Sequence, residues 1–338
     1  MLKVGMLGPI AWRTPPTHYG PWEQITSLIT EGLVRRGIDV TLFATLDSRT
    51  SARLDGVCPQ PYAEHPAMDG RVWEALHVAH ALERSADFDL IHNHLDWLPL
   101  AFSGLCRAPM VTTVHGFSGR AILPAYQSAN SFFVSISDSD RVPDLDYVAT
   151  VHHGIDLTAL PFSAAGGEDL VILGRIHPDK GTAEAIEIAR RCGRRLVICG
   201  IVQDERYFHE RVQPHIDQDR VQYQGSVGPD QRASVLGSAL ALLHPIGFDE
   251  PFGLSVVESM ACGTPVVAYR RGSMPEIIDD GVTGFVVDDA AQAADVVRSV
   301  PALDRATCRA VAERRFGVDR MVQDYVAVYD QILRGGGG

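Results

Sequence analysis

The amino-acid sequence predicts an α/β protein with two domains, each built on an open parallel sheet. The chain has 338 residues, which is long for one ordinary domain and suits two of about 150 to 170 residues. Short apolar, β-branched runs alternate with helical patterns along the whole chain, as expected for parallel strands joined by crossover helices. We expect two such domains to face each other across a cleft.

The first domain is predicted from six short runs that are almost entirely apolar, a pattern typical of strands buried on both faces of a sheet. These strands are expected at Val4–Leu7, Val40–Ala44, Leu90–His92, Met110–Val114, Phe132–Ile136 and Tyr147–Val151. A stretch containing proline and glycine, residues 161–167, then predicts a linker. We therefore expect the first domain to cover residues 1–162.

A second series of runs predicts a second open sheet within residues 163–312. Its strands are expected at Leu170–Leu173, Leu196–Cys199, Val221–Tyr223, Ala239–Leu243, Pro265–Ala268 and Gly284–Val287. Apolar residues then recur at helical spacing between Met321 and Ile332, which predicts an amphipathic terminal helix within residues 313–334. The final glycines, residues 335–338, are predicted to form a tail.

The composition excludes several classes of protein. Apolar residues make up 46% of the chain and charged residues 21%, so we expect two folded cores rather than disorder. A formal net charge of −12 disfavours nucleic acid and anionic membranes as partners, because both need a basic face. The apolar runs are too short to span a bilayer, and the six cysteines lack disulfide or metal spacing. We expect a cytoplasmic protein that acts on soluble small molecules.

The loop after the first predicted strand ends in Gly20-Pro21-Trp22-Glu23 and leads into a helix. Gly20 permits close approach of the backbone to a ligand, and Pro21 suits the first position of a helix. Open α/β sheets bind ligands at the carboxyl edge, where their strands end and where a helix N-terminus can face an anion. A plain connection between strand and helix explains the loop equally well, and it lacks the glycine fingerprint of nicotinamide dehydrogenases.

The corresponding loop of the second domain brings two cations, Arg175 and Lys180, to the end of a strand. A cation about 4 Å from a phosphate oxygen is worth roughly 4 kcal/mol at an effective dielectric constant near 20. A helix terminus contributes only about 0.3 to 2 kcal/mol. We therefore favour a phosphate site whose affinity comes from the side chains, with two solvated surface cations as the alternative.

Two glutamates, Glu250 and Glu258, are separated by seven residues in the segment 244–267. We expect Glu250 in a loop and Glu258 in the first turn of a helix that ends near Gly263. With the two loops described above and with Val114-His115-Gly116, the pattern resembles that of family 4 glycosyltransferases, whose fold is called GT-B. The resemblance covers essentially the whole chain.

The resemblance implies a role for each of these residues. Glu250 would contact the hydroxyl groups of the donor sugar near the reacting carbon, and Glu258 would hold the ribose. His115 would contact the donor sugar and support the transition state. The donor diphosphate would be held by Arg175, Lys180, Gly20, Gly253, Leu254 and Ser255.

The resemblance also implies the chemistry. Family members use a nucleotide-diphosphate sugar, UDP- or GDP-linked, as co-substrate and need no metal or other cofactor. They transfer the sugar with retention of configuration, here to a small-molecule or carbohydrate acceptor. The terminal helix is expected to pack back on the first domain.

Several alternatives stay open at the level of sequence. Ser255 and Glu258 have the spacing of a capping box, in which the glutamate only completes the start of its own helix. His92, His94 and Asp96 follow a strand, and the two histidines lie on one side of it, where Asp96 could complete a metal site. We favour an acceptor pocket at this position, formed by His94, Asp96 and Trp22.

This chain has Pro21 and Trp22 where members of the family commonly have a second glycine. As a consequence, Pro21 removes a backbone donor and Trp22 adds bulk. Fewer contacts from the first domain to the diphosphate are therefore expected. A nucleotide-sugar hydrolase or 2-epimerase on the same fold also fits the sequence. A third alternative is a non-catalytic subunit that only binds the nucleotide sugar.

Overall fold

A computed structural model of the chain describes residues 1–17, 20–116 and 119–335. It divides into two compact units, the first containing Met1–Gly154 together with the segment from Val318 onward, and the second containing Ile155–Gly317. The predicted boundary lies after residue 162, and the predicted terminal segment starts at residue 313. Of the predicted glycine tail, Gly335 ends the last helix, and residues 336–338 lie outside the described residues.

Each unit contains one sheet, and every strand pair in both sheets is parallel. The strands are β1 (Lys3–Leu7), β2 (Asp39–Phe43), β3 (Arg53–Asp55), β4 (Leu90–Asn93), β5 (Met110–Val114), β6 (Phe132–Ser135), β7 (Tyr147–Thr150), β8 (Leu170–Leu173), β9 (Leu196–Cys199), β10 (Val221–Gly225), β11 (Ala241–His244), β12 (Val266–Tyr269) and β13 (Gly284–Val287).

Helices connect the strands in both units. They are α1 (Pro21–Arg35), α2 (Gly70–Glu83), α3 (Leu98–Ala101), α4 (Leu123–Gln127), α5 (Thr182–Cys192), α6 (Glu205–Tyr207), α7 (Pro229–Ser238), α8 (Leu254–Ala261), α9 (Met274–Ile277), α10 (Ala290–Val296), α11 (Arg305–Phe316) and α12 (Val318–Gly335).

The strand order is β3-β2-β1-β4-β5-β6-β7 in the first sheet and β10-β9-β8-β11-β12-β13 in the second. In each sheet the order reverses between two neighbouring strands, β1 and β4 in the first and β8 and β11 in the second. The loops that leave such a pair at its carboxyl end diverge and open a crevice, which is where open α/β sheets bind ligands. The two-domain, parallel-sheet prediction is thereby confirmed.

The terminal helix α12 packs against α1 within the first unit. Gly32 makes this possible, because a Cβ atom at that position would lie 2.4 Å from Cγ2 of Val322. The apolar face of α12 is buried along its length, and each large side chain on it contributes roughly 1.5 to 3 kcal/mol. The buried residues of that face are Met321, Val322, Tyr325, Val328, Tyr329 and Ile332.

The predicted strands lie within a residue or two of the observed ones. The exception is β3, which pairs with β2 at the edge of the first sheet and was not predicted. Its residues, Arg53, Leu54 and Asp55, are exposed or only partly buried. A short edge strand of this kind carries no apolar run, because polar residues protect sheet edges from further pairing.

Candidate active site

The loops that follow β8 and β11 meet at the carboxyl edge of the second sheet. Lys180, after β8, forms an ion pair with Glu250, after β11, and its Nζ lies 2.8 Å from Oε2. The two side chains are 19% and 14% exposed, so water screens the pair only partly. The structure therefore brings one predicted phosphate ligand and one predicted sugar ligand together.

Backbone contacts fix these two loops against each other. Gly181 has a φ of 71°, and a Cβ atom there would lie 1.9 Å from the carbonyl oxygen of Pro245. Only glycine allows this approach. The N–H of Gly247 also donates to the carbonyl oxygen of Asp179 at 2.8 Å. The position of Lys180 relative to Glu250 is thus set by the main chain.

Glu250 has further contacts besides Lys180, and it is ionised. The N–H of Ser273 donates to its carbonyl oxygen at 2.9 Å, and Nε2 of His244 lies 3.6 Å from its Oε2, beyond hydrogen-bond distance. Burial acts to raise the pKa of Glu250, but His244 and Lys180 together lower it to about 2. The carboxylate can therefore only accept hydrogen bonds, as a contact to sugar hydroxyl groups requires.

Glu258 lies in α8 and pairs with Arg232, which the sequence analysis missed. Nη1 of Arg232 lies 3.2 and 3.4 Å from the two carboxylate oxygens. Burial raises the pKa of Glu258, and Arg232 opposes the shift. Glu258 lies beyond the first turn of α8, so its predicted place in that turn was wrong.

The capping-box interpretation is also wrong. Gly253 occupies the N-cap position of α8, Ser255 lies inside the helix, and no side chain caps its start. Gly253 has a φ of 89°, and a Cβ atom there would lie 2.8 Å from Cε of Met274. The first turn of a helix leaves N–H groups without intrahelical partners, here those of Leu254 and Ser255, and such groups bind anions.

Arg175 also lies in the loop after β8 and is partly buried. Its Nη1 donates to Oε1 of Gln203, a residue that follows β9 and that the sequence analysis missed. The N–H of Gln203 in turn donates to the carbonyl oxygen of Ile176 at 3.2 Å. The guanidinium is therefore anchored through a neighbouring loop of the same sheet edge.

His115 follows β5 in the first unit and belongs to a row of buried histidines. Its Nε2 lies 2.9 Å from Nδ1 of His94, and its Nδ1 lies 3.3 Å from Nε2 of His153. The ring of Trp22 stacks on it with a centroid separation of 5.3 Å and an interplanar angle of 19°. Both ring nitrogens of His115 are thus engaged, and a contact to a donor sugar requires that one of them exchange its histidine partner.

These histidines are neutral near pH 7. Burial lowers the pKa of His115 to about 3, and burial together with the neighbouring histidines lowers the pKa values of His94 and His153 well below the ordinary range. A neutral imidazole donates one hydrogen bond and accepts one. His115 therefore donates through one nitrogen and accepts through the other, and it carries no charge to place near a substrate.

A cavity of about 310 Å³ opens at the carboxyl edge of the first sheet. It lies where the loops after β1 and β4 diverge, because Pro9 and Ala11 follow β1 and the segment 95–98 follows β4. Two of the predicted acceptor-pocket residues, Trp22 and Asp96, line it. The third, His94, is fully buried and does not line the cavity; it contacts His115 instead.

Gly20 and Glu23 define the start of α1 beside this cavity. Gly20 is the N-cap residue, with a φ of 148°, and a Cβ atom there would lie 2.9 Å from Oε2 of Glu23. Oε1 of Glu23 accepts a hydrogen bond from the N–H of Trp12 at 3.1 Å. Glu23 is only 3% exposed, and burial raises its pKa to about 7. Sequence reasoning gave Glu23 no role, although it lines the cavity.

Within residues 1–17, 20–116 and 119–335, no group of His, Cys, Asp and Glu side chains is arranged to hold a metal ion. His92, the first histidine of the metal alternative, instead lies 2.6 Å from the hydroxyl of Tyr329 and 2.8 Å from that of Thr113. Among the described residues, the helices lack an apolar stretch of the length that a membrane span requires.

Comparison with known proteins identifies the class of protein. Over 99% of both chains, the structure is similar to AviGT4, a glycosyltransferase involved in avilamycin A biosynthesis, with a TM-score of 0.77 and 25% identity. It is also similar to Anabaena HepE in complex with UDP-glucose, with a TM-score of 0.75 and 19% identity, over 98% of this chain and 100% of that one. The fold, with two units each built on a parallel sheet, is that of a GT-B glycosyltransferase.

The family follows from the sequence matches. Residues 23–159 match the family described as Glycosyltransferase Family 4, and residues 162–306 match the one described as Glycosyl transferases group 1. Together the two matches identify the chain as a member of the family 4 glycosyltransferases, also called group 1. Among curated relatives, glycogen synthase of Mycobacterium tuberculosis is 25% identical over 90% of this chain and 89% of its own length.

Proposed function

We propose that the protein transfers a sugar from a nucleoside diphosphate sugar to a small acceptor, with retention of configuration and without a metal ion. The observation that carries this proposal is the pairing of Lys180 with Glu250 at 2.8 Å, beside the open first turn of α8. A sugar diphosphate needs three kinds of group: a cation and unpaired N–H groups for its phosphates, and an ionised carboxylate that accepts hydrogen bonds from its sugar hydroxyls. UDP-glucose is the first donor to test, because HepE is bound to it.

The second unit would hold the donor through three contacts. An ammonium group has three N–H donors, so Lys180 can keep its bond to Glu250 and still donate to the diphosphate. The N–H groups of Leu254 and Ser255 would bind the same phosphates, and Arg175 would add a second positive charge. Glu258 would accept hydrogen bonds from the ribose, because its carboxylate remains available beside Arg232.

The transfer itself would proceed on one face of the sugar. The bond from the anomeric carbon to the diphosphate oxygen breaks, and its electron pair remains on that oxygen. The acceptor hydroxyl forms the new bond to the anomeric carbon and gives its proton to the departing oxygen. Positive groups placed at the leaving oxygen lower the barrier most, because charge develops there in the transition state.

In this proposal Glu250 accepts hydrogen bonds from the hydroxyl groups of the donor sugar. Because it is ionised, its carboxylate oxygens only accept hydrogen bonds. His115 enters as a neutral imidazole that exchanges one histidine partner for a sugar hydroxyl. The residues Arg175 and Lys180 supply the positive charge that a divalent ion supplies elsewhere. A carboxylate nucleophile is not part of the mechanism.

The first experiment is a thermal-shift panel of UDP, GDP, ADP and dTDP. A nucleotide present at about 100 times its dissociation constant should stabilise the protein by roughly 2.7 kcal/mol. The nucleotide that stabilises the protein identifies the base of the donor. Release of this nucleotide from the corresponding nucleoside diphosphate glucose is then measured with and without acceptors. Stabilisation by none of the four nucleotides would contradict the proposal, and conversion of the donor without any acceptor would instead identify a hydrolase or 2-epimerase.

A further inference from the structure

The cavity at the edge of the first sheet has the size and the lining of a sugar site. Trp12, Trp22 and Trp97 line it, so it holds three of the four tryptophans of the chain. Flat indole faces pack well against the apolar C–H faces of pyranose and cyclitol rings, and aromatic walls with a few placed polar groups are typical of small-molecule sites. A cavity of about 310 Å³ accommodates one such ring.

The polar groups of the cavity are acidic. Glu23, Glu74 and Asp96 line it, and its described lining residues include no lysine, arginine or histidine. Tyr62 donates its hydroxyl to Oε1 of Glu74 at 2.7 Å, which fixes that carboxylate at the wall. Carboxyl groups present mainly hydrogen-bond acceptors, so the complementary ligand must bring most of the donors.

The charge of this lining discriminates between ligand classes. A phosphate or carboxylate on the ligand would be placed beside like charges and would find no cation among the described lining residues. A hydroxyl group would find acceptors. An ammonium group would gain attraction as well as hydrogen bonds, and its contact with the indole faces would be favourable too.

We propose that this cavity binds the acceptor, and that the acceptor is a sugar or cyclitol bearing hydroxyl or amino groups and no phosphate or carboxylate. This inference rests on the proposed transfer, because an acceptor site has meaning only in a transferase. Trp22 connects the two features within the first unit: it lines the cavity and stacks on His115. A bound acceptor would therefore lie one ring away from the histidine row.

The test compares three matched hexoses, D-glucosamine, D-glucose and D-glucose 6-phosphate, by titration of tryptophan fluorescence. The readout is suited to the site, because most of the tryptophans line it. At about pH 7 we expect glucosamine to bind at least about tenfold more tightly than glucose 6-phosphate, with glucose between them. Equal or tighter binding of glucose 6-phosphate would overturn the proposal, as would the absence of any response to all three sugars.

Two variants localise the effect on one helix. Glu74→Gln keeps an oxygen for the hydroxyl of Tyr62 but removes a charge from the cavity, so it should reduce the preference for glucosamine over glucose 6-phosphate by about threefold or more. Glu83→Gln removes an exposed charge from the end of α2 and should leave the preference unchanged. An unchanged preference in Glu74→Gln would contradict the assignment to this cavity.

The donor proposal is tested separately by nucleotide binding, which uses residues of the second unit. Nucleotide binding with the wrong order of hexoses would show that the acceptor class is incorrect while the transferase proposal holds. The predicted order of hexoses without any nucleotide response would leave a sugar-binding cavity and refute the transferase.

Discussion

Replacing Glu23 by glutamine tests the electrostatics of the first unit directly. The side chain is 3% exposed, and burial raises its pKa from 4.5 to about 7. The folded state binds the carboxyl proton of Glu23 more tightly than the unfolded state does. The stabilisation of the folded state by this proton is therefore fully present below pH 4.5. It is lost as the pH rises through about 7.

The magnitude follows from the shift. A change of one pKa unit corresponds to about 1.4 kcal/mol, so the shift of Glu23 corresponds to about 3 kcal/mol of stability lost above its folded-state pKa. Glutamine cannot ionise and still offers an oxygen to the N–H of Trp12. Glu23→Gln should therefore match the wild type near pH 4 and exceed its free energy of unfolding by about 3 kcal/mol near pH 8.

Urea unfolding of both proteins at the two pH values measures this difference, and the titration of all other groups cancels in the comparison. Glu83→Gln, which removes an exposed carboxylate, should show no pH-dependent difference. If Glu23→Gln changed stability by the same amount at both pH values, the carboxyl group of Glu23 would titrate normally and its assigned burial would be incorrect.

Three further predictions concern the two sheet edges. Glu258→Gln should weaken binding of the responding nucleoside diphosphate about tenfold or more in a calorimetric titration, because a hydrogen bond to a charged group is lost. Glu187→Gln, which changes a half-exposed carboxylate of α5, should not weaken it. Equal affinities of Glu258→Gln and the wild type would remove Glu258 from the ribose site. Gly181→Ala should destabilise the protein by roughly 2 kcal/mol or more in urea, since its Cβ would meet the main chain of the neighbouring loop. Gly37→Ala, at a φ of 78° with nothing within 4 Å, should cost clearly less, and equal losses would show that the loops do not touch. His115 should remain neutral between about pH 5 and pH 8 in imidazole NMR spectra, and a titration midpoint near 6.5 would contradict its burial.

The sequence predicted the strands well where their environment is uniform. The run Met110–Val114 is apolar or β-branched throughout and forms β5 with the same bounds, because a central parallel strand is buried on both faces. β3 was missed for the opposite reason. At the edge of a sheet, pairing alone makes a strand, and Arg53 and Asp55 give no periodic signal of it.

The site residues divide in a similar way. Lys180 could be predicted from a local pattern, since it lies in a loop directly after a strand. The role of Glu250 was implied by the family resemblance that its spacing from Glu258 carries. Arg232 and Gln203 could not be predicted, because their roles come from distant segments that the fold brings to Glu258 and Arg175. The burial of Glu23 likewise depends on the loop carrying Trp12, and no spacing in the sequence records it.

The most direct test of the account is the affinity of the second unit for a nucleoside diphosphate when Lys180 is removed. Calorimetric titration of the nucleotide into Lys180→Ala should give an affinity about 10 to 100 times lower than in the wild type, because a charged hydrogen bond to phosphate is lost. Lys3→Ala, which removes an exposed lysine of the first unit, should bind as the wild type does. Unchanged affinity in Lys180→Ala would contradict the claim that the loops after β8 and β11 form the donor site.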